Sequence, residues 1–481
     1  MQSRRDQVQA HLFVMSRLAS GMLRDEPDAP DTPIGRTSRG MMGGLAIAAL
    51  ISLVVAIYGM VVPGGATSWQ KPGTLVVVKE SGARYLSVGG VLHPVLNEAS
   101  ARLLAGDQLT VEQVSVKSLE EAPRGAPIGI VGAPDGLPEA SRLGKAPWLV
   151  CAIQQTDLPG RPSRLALMMG PRQEGRALTD DQSVLVATPD GTEYLLWRGR
   201  RLRLDDATGR ALGYGAVVPF PVSEAFPNTL PAGPDLASPP VDRRGSAGPS
   251  LAGLPTRVGQ LFAGPAGEHY VLAADGLVPL TATMFELLRG DRRTQQDAYG
   301  GSAVTPVLIG PADLADHSVS AAVAARWSDG GLPSTPPSVQ SVVRTQAVCT
   351  DLRLSATEPV IGVRIADAAA VTGQSPAVQP GVLAACAGAD LVAVRPGSGA
   401  LVRALPGGGA GSTLYLVTDA GVRYPLASAA AAKQLGYGAA AVQSVPDLLL
   451  GLLPTGPSLD PDLLSGGGVV GPPPTTRPCA G

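Results

Sequence analysis

At 481 residues the chain exceeds one ordinary core, so two or more domains are expected. It is 44% hydrophobic, 4% aromatic and 16% charged, with 60 Gly and 45 Pro, which reads as many short strands and turns rather than a helical bundle. Lys+Arg number 38 against 40 Asp+Glu, and this near-neutral balance excludes a strongly nucleic-acid-seeking surface, which needs clustered excess cation.

In chain order, Ser3-Arg4-Arg5-Asp6 fits the S-x-x-[DE] pattern of a helix start. Val8, Leu12, Met15, Ala19 and Met22 then follow the spacing of one helical face, with Phe13 and Leu18 alongside. The spacing predicts an amphipathic helix over about Arg4 to Leu23, placed to lie on lipid or dock on a cytoplasmic partner. Asp25, Glu26, Asp28 and Asp31, mixed with Pro27, Pro30 and Pro33, make a spacer.

From Gly40 to Gln70 no side chain carries a charge, and Met41 to Val62 is almost wholly apolar. As a helix this run spans about 33 Å, enough for a hydrocarbon core of about 30 Å. It is too long and starts too late for a cleaved signal peptide. Pro63-Gly64-Gly65 then stops the helix. Arg24, Arg36 and Arg39 precede the span closely, while Lys71 and Lys79 follow it, and all four cysteines lie beyond it. This asymmetry predicts a single-pass membrane protein, its N-terminus inside the cell and its C-terminal domain outside. Gly40-Met41-Met42-Gly43-Gly44 holds a G-x-x-x-G spacing suited to close helix contact.

Beyond the span, four segments share one grammar: a tyrosine-centred strand, a glycine turn, a second strand often ending in proline, and a short helix closed by glycine. The tyrosines are Tyr85, Tyr194, Tyr270 and Tyr415, and the turn glycines are Gly90, Gly199, Gly276 and Gly421. The helix-ending glycines are Gly106, Gly213, Gly290 and Gly436. Leu212-Gly213-Tyr214-Gly215 also matches Leu435-Gly436-Tyr437-Gly438. Boundaries follow at 1–40 for the inner helix and linker, 41–62 for the span, and 63–80 for a linker and a strand entering the outer domain. The repeats occupy 81–130, 191–240, 266–320 and 411–461. Residues 131–190 and 321–410 form the two halves of a central core, 241–265 a linker, and 462–481 a Gly/Pro-rich tail.

Cys151 lies between repeats one and two, Cys349 between three and four. Each half is thus repeat, Cys-bearing strand, repeat. A duplicated unit packed about a pseudo-two-fold axis brings the equivalent strands together, so a Cys151–Cys349 disulfide is inferred. Cys386–Cys479 is the remaining pair; Cys479 could instead stay free or join another chain. The fold class is α+β and β-rich: an amphipathic helix, one transmembrane helix, then a duplicated domain of four small α/β repeats around a strand-rich core.

The opening Ser3-Arg4-Arg5-Asp6-Gln7-Val8-Gln9-Ala10-His11 resembles the start of EccB, a membrane component of type VII (ESX) secretion systems. The resemblance extends through the span, the four repeats, the central Cys pair and the Leu-Gly-Tyr-Gly…Gly-Pro ending. It implies membership of a complex that exports small helical proteins, alongside EccC-, EccD- and EccE-like proteins, other copies of itself and the mycosin protease. It leaves ATP binding and hydrolysis open, because the family is often described as ATPase. The residues themselves supply no cofactor or metal site: no G-x-x-x-x-G-K-[ST] occurs, and Gly144-Lys145-Ala146 lacks the hydroxyl and the upstream glycine. Pro406-Gly407-Gly408-Gly409-Ala410-Gly411 has no lysine and leads into a strand. Asp180-Asp181 and Asp205-Asp206 read as solvated turns, and His11, His93, His269 and His317 sit in unrelated contexts. No catalytic constellation emerges. A membrane-anchored protein that binds cell-wall polymer is the competing class, and exposed aromatic rows would mark it; the four tyrosines read instead as core.

Overall fold

The computed structural model describes residues 4–24, 33–61, 67–144, 147–155, 163–170, 175–319, 321–328, 330–355, 357–376, 379–405 and 413–472. The first helix, Arg4–Arg24, carries Asp6 in its first turn, where a carboxylate favours the positive helix end. The second, Pro33–Val61, starts eight residues before the apolar run, with proline at the first helical position, where its missing N–H costs nothing. Its stretch Thr37–Gly59 has a mean hydropathy of 2.3 and no buried residue, long and apolar enough to cross a membrane. Val62 and Pro63-Gly64-Gly65 lie outside the described residues.

The large domain holds four small sheets that share one four-stranded topology, the second carrying Ser338–Val339 as a fifth strand parallel to Gln182–Ala187. In the first, Thr74–Val78 pairs antiparallel with Arg84–Val88, which pairs antiparallel with Val91–Pro94, while Thr110–Val114 runs parallel to Thr74–Val78 on its other side. The second sheet uses Gln182–Ala187, Glu193–Trp197, Arg200–Leu204 and Phe220–Pro221 in the same order and directions, the third Leu261–Ala263, His269–Ala273, Gly276–Leu280 and Val307–Leu308. In the fourth, Ala400–Leu405, Leu414–Val417, Arg423–Leu426 and Gln443–Pro446 repeat the arrangement. Each sheet therefore includes one strand that precedes the tyrosine strand. Those first strands fall outside the repeat boundaries read from sequence, because a bare run such as Leu-Phe-Ala carries no periodicity of its own.

Proline placement follows from edge chemistry. Pro94, Pro279 and Pro425 sit directly across from Tyr85, Tyr270 and Tyr415 on the third strand, an edge of each sheet. On an edge strand a residue without N–H removes no bond to the neighbouring strand of the sheet. A helix follows each third strand: Glu98–Ala105, Asp206–Ala211, Ala282–Gly290 and Ala429–Gln434. Asn97, Asp205, Thr281 and Ser428 cap them, each accepting from the backbone N–H three residues on at 3.0, 2.8, 3.2 and 3.1 Å. Each cap stabilises by about 1 kcal/mol.

The central sheet runs Leu391–Val394, Arg164–Met169, Trp148–Ile153, Gln346–Arg353, Val360–Asp367 and Arg176–Ala177. Its two middle strands are antiparallel, with Cys151 directly opposite Cys349. Trp148-Leu149-Val150-Cys151-Ala152 is buried throughout, as a sheet packed on both faces requires. One face, with Trp148, Val150 and Leu167, packs on Val184, Val186 and Leu196 of the second small sheet and on Val402 and Val445 of the fourth.

Candidate functional site

The middle of the central sheet is the structural hub. Cys151 and Cys349 are joined, S–S 2.10 Å and Cα–Cα 4.0 Å, and both are fully buried. Cys386 is disulfide-bonded too, while Cys479 lies outside the described residues. Beside the bridge the two halves differ. Cys151 pairs with Ala166 on its outer neighbour, whereas Cys349 pairs with Arg364. Arg364 is buried and donates to Asp351 at 3.2 Å and to the Gly175 carbonyl at 3.1 Å. A buried guanidinium demands such partners, since an uncompensated charge there costs several kcal/mol.

The marked tyrosines are half-buried rather than full core. Arg124, Arg201 and Arg423 lie over the rings of Tyr85, Tyr194 and Tyr415 at 5.7, 5.7 and 5.4 Å, so each ring packs its body inward and offers a face to a cation. Burial lowers the Arg423 guanidinium below its usual range. Tyr270 has Glu268 as its charged neighbour, and burial, then that carboxylate, raise its hydroxyl. Gly199 and Gly421 turn with φ of 69° and 71°, and a methyl on Gly199 would collide with the Ile361 carbonyl of the central sheet. Of the helix-ending glycines, Gly106, Gly213 and Gly436 take positive φ. Gly290 does not; it ends its helix against Ala211 of the second unit's helix, where any side chain would clash. Its role is close approach, not termination.

These contacts join the small sheets in pairs. The first unit's helix packs on the fourth's, and the second's on the third's. The Tyr437 hydroxyl donates to the Pro138 carbonyl at 2.8 Å, and the Tyr214 hydroxyl to the Pro337 carbonyl at 2.9 Å. Pro138 follows the first unit and Pro337 the third, so the two matched tyrosines tie matched places. Burial raises both hydroxyls well above the ordinary phenol range. Sequence reading missed these ties; the shared Leu-Gly-Tyr-Gly was their signal.

The remaining candidates have local duties. Asp205 is a helix cap, Asp180 pairs with Arg198 at 2.9 Å, and Asp181 accepts from Thr179 at 2.6 Å. His93 Nδ1 lies 2.9 Å from the Ala126 carbonyl, and the His269 ring stacks on Phe285. A cavity of about 600 Å³ lies between the second and third units, its wall mixing Asp205, Asp242, Asp291 and Asp297 with Arg244, Arg292 and Arg293. Lys145 and the stretch 406–411 fall outside the described residues. Among the described residues, no group of three His, Cys, Asp or Glu side chains could hold a metal ion.

The architecture defines a class: a protein with, among the described residues, one candidate membrane helix near its N-terminus and a large strand-rich domain following it. More narrowly, the chain belongs to the EccB family, since the family model described as "Type VII secretion system ESX-1, transport TM domain B" matches residues 1–464. The ESX-3 secretion system ATPase EccB3 of Mycolicibacterium smegmatis is 28% identical, covering 88% of this chain and 82% of that protein. The ESX-1 secretion system ATPase EccB1 of Mycobacterium tuberculosis is 26% identical, over 95% and 93%. Among solved structures, a chain of the EccB3 dimer from the ESX-3 core complex is similar at TM-score 0.63 and 27% identity, covering 81% of this chain and 98% of that one. A chain of an intact ESX-5 inner membrane complex shares the fold at TM-score 0.64 and 24% identity, over 96% and 95%.

Proposed function

We propose that this chain is a structural subunit of a type VII secretion complex in the inner membrane, exporting small helical proteins. The observation that carries the reading is its likeness, over 81% of this chain, to a chain of an EccB dimer taken from an ESX core complex. Labour divides along the chain. The first helix exposes Val8, Leu12, Phe13, Met15 and Leu18, apolar side chains that need a lipid or protein partner. With the N-terminus inside, only that helix and the span can meet EccC-, EccD- and EccE-like partners. The large domain lies on the periplasmic side, where other copies and the mycosin protease are its partners. Four sheets of one topology, paired through matched tyrosines, support two duplicated halves about a pseudo-two-fold axis through Cys151 and Cys349.

Deleting Gln2 to Ala19 while keeping the span is expected to reduce recovery of the EccC- and EccD-like partners in pull-downs. Removing everything after Gly73 is expected to leave some inner assembly and block secretion. An N-terminal deletion that assembles and secretes like wild type overturns the docking role. A cysteine engineered near residue 20 should resist labelling in intact cells, and ready labelling there reverses the orientation. Several of the relatives are named ATPases, which motivates one comparison. Without a phosphate-cradling loop in the sequence, the purified protein is expected to hydrolyse ATP no faster than a contaminant control.

A further inference from the structure

We propose that the first small sheet rests on the membrane surface through the apolar end around Gly73, its occupant the lipid interface itself. The proposal rests on the reading of Pro33–Val61 as the membrane span. Strand register fixes which side chains share a face. Leu75 lies opposite Leu86 on one side and Val111 on the other, so the three point the same way. Leu75 and Leu86 pack with Ala101, which identifies this as the face covered by the helix Glu98–Ala105. Val88, two residues beyond Leu86, points to that face too.

Gly73 extends the ladder by one residue, donating to the Ser87 carbonyl at 3.1 Å and accepting from the Thr110 N–H at 3.2 Å. A methyl at Gly73 would stand 3.5 Å from the Ala105 Cβ, so the last helical turn ends over this position. Val88, Leu104 and Val111 thus surround one end of one face, and they are 48%, 37% and 61% exposed. Lys71 and Asp107, of opposite sign, flank them and are exposed.

Chain length says what meets this end. The helix ends at Val61 and the large domain's first described turn begins at Ser68. Seven residue steps reach at most about 25 Å when fully extended. The strand Thr74–Val78 starts a few residues later, so the tether keeps its Gly73 end within reach of the bilayer. With no net charge at the patch, the contact is shallow insertion of apolar side chains into the interface, not attraction to anionic headgroups.

The test uses the full chain in lipid nanodiscs, with Val111→Trp or Val88→Trp, and Leu308→Trp in the third sheet as an exposed reference. Acyl-chain-brominated lipid is expected to quench Val111→Trp about twofold more than Leu308→Trp, equally at low and high salt. Val88→Trp is expected to behave alike, and serves if Val111→Trp folds poorly by thermal melt. Equal quenching at the reference and both test positions overturns the proposal. So does protection from both bromolipid and aqueous iodide that disappears at one copy per disc, which assigns the patch to a second copy. Quenching that vanishes at high salt overturns the apolar mechanism. A scrambled orientation would leave the quenching contrast intact, so its failure is separable from that of the secretion reading.

Discussion

The two pairs of small sheets are closed by the same tie but lined differently. First and fourth share one apolar cluster, in which Ala99, Leu103 and Ile130 meet Leu401, Leu416, Leu435 and Leu459. Second and third meet through thinner cover: Leu287 of the third joins Leu195, Leu202 and Leu212 of the second, and a charged cavity opens beside them. Arg244 and Asp291 face each other there at 2.6 Å, largely buried. A shared apolar core is non-directional and tolerant, whereas a close Gly290–Ala211 approach beside buried charge depends on geometry and on protonation. The first–fourth pair therefore rests on shared apolar burial, and the second–third pair on close geometry and buried charge.

The largest expected effect strikes both pairs alike. Cys151 and Cys349 are 198 residues apart, and closing so long a loop stabilises by about 5 kcal/mol in the chain-entropy view. A double Cys→Ala variant is expected to lower the thermal midpoint and to merge the loss of both pairs into one transition. If calorimetry shows one pair melting unaffected, the hub does not serve both.

Gly290→Val sharpens the contrast, because the added side chain meets Ala211 directly. Overpacking of this kind costs about 1–3 kcal/mol, and hydrogen exchange should quicken in Asp206–Ala211 and Ala282–Gly290 while Glu98–Ala105 stays protected. Equal quickening in Glu98–Ala105 breaks the division into two pairs.

Tyr437→Phe and Tyr214→Phe each remove one buried donor and strand a proline carbonyl, for about 1–2 kcal/mol. Near-equal losses in denaturant midpoint are expected, since the ties match in partner and distance. A large difference would separate the pairs at their one shared device.

The smallest effect is set by pH. Burial pushes the Asp291 carboxyl up, but Arg244 and the Arg293 N–H outweigh it, and the net position is below the ordinary 3.8. A carboxyl held low when folded contributes stability above its unfolded value, and loses it as pH falls through the folded one. Acidification below about pH 4 is therefore expected to loosen the second–third pair, and Asp291→Asn to remove that dependence. Loosening of the first–fourth pair under the same acid would point to another group.

Local patterns were the legible part of this chain. The apolar run marked the span, and the tyrosines and turn glycines marked the middle strands of each small sheet, because these signals lie within a few residues of each other. Strand pairing within each small sheet was not legible. Nothing near Thr74 announces that Thr110 will lie beside it in parallel, and a two-residue strand such as Val307–Leu308 has no periodicity to read. The burial of charge was not legible either: Asp351 and Arg364 are both buried beside the disulfide, and alternation along a strand cannot show which sheets cover each face. The helix caps Asn97, Asp205, Thr281 and Ser428 were readable and went unread, each standing just before a short helix.

The cross-strand bridge also decides how this molecule carries tension. A pull between the membrane helix and the end of the fourth sheet travels along the backbone to Cys151, crosses the sulfur atoms to Cys349, and continues outward. Residues 152–348 hang from that crossing as an unloaded loop. The second and third sheets can thus flex or be gripped by a neighbour while the anchored line from bilayer to fourth sheet stays taut.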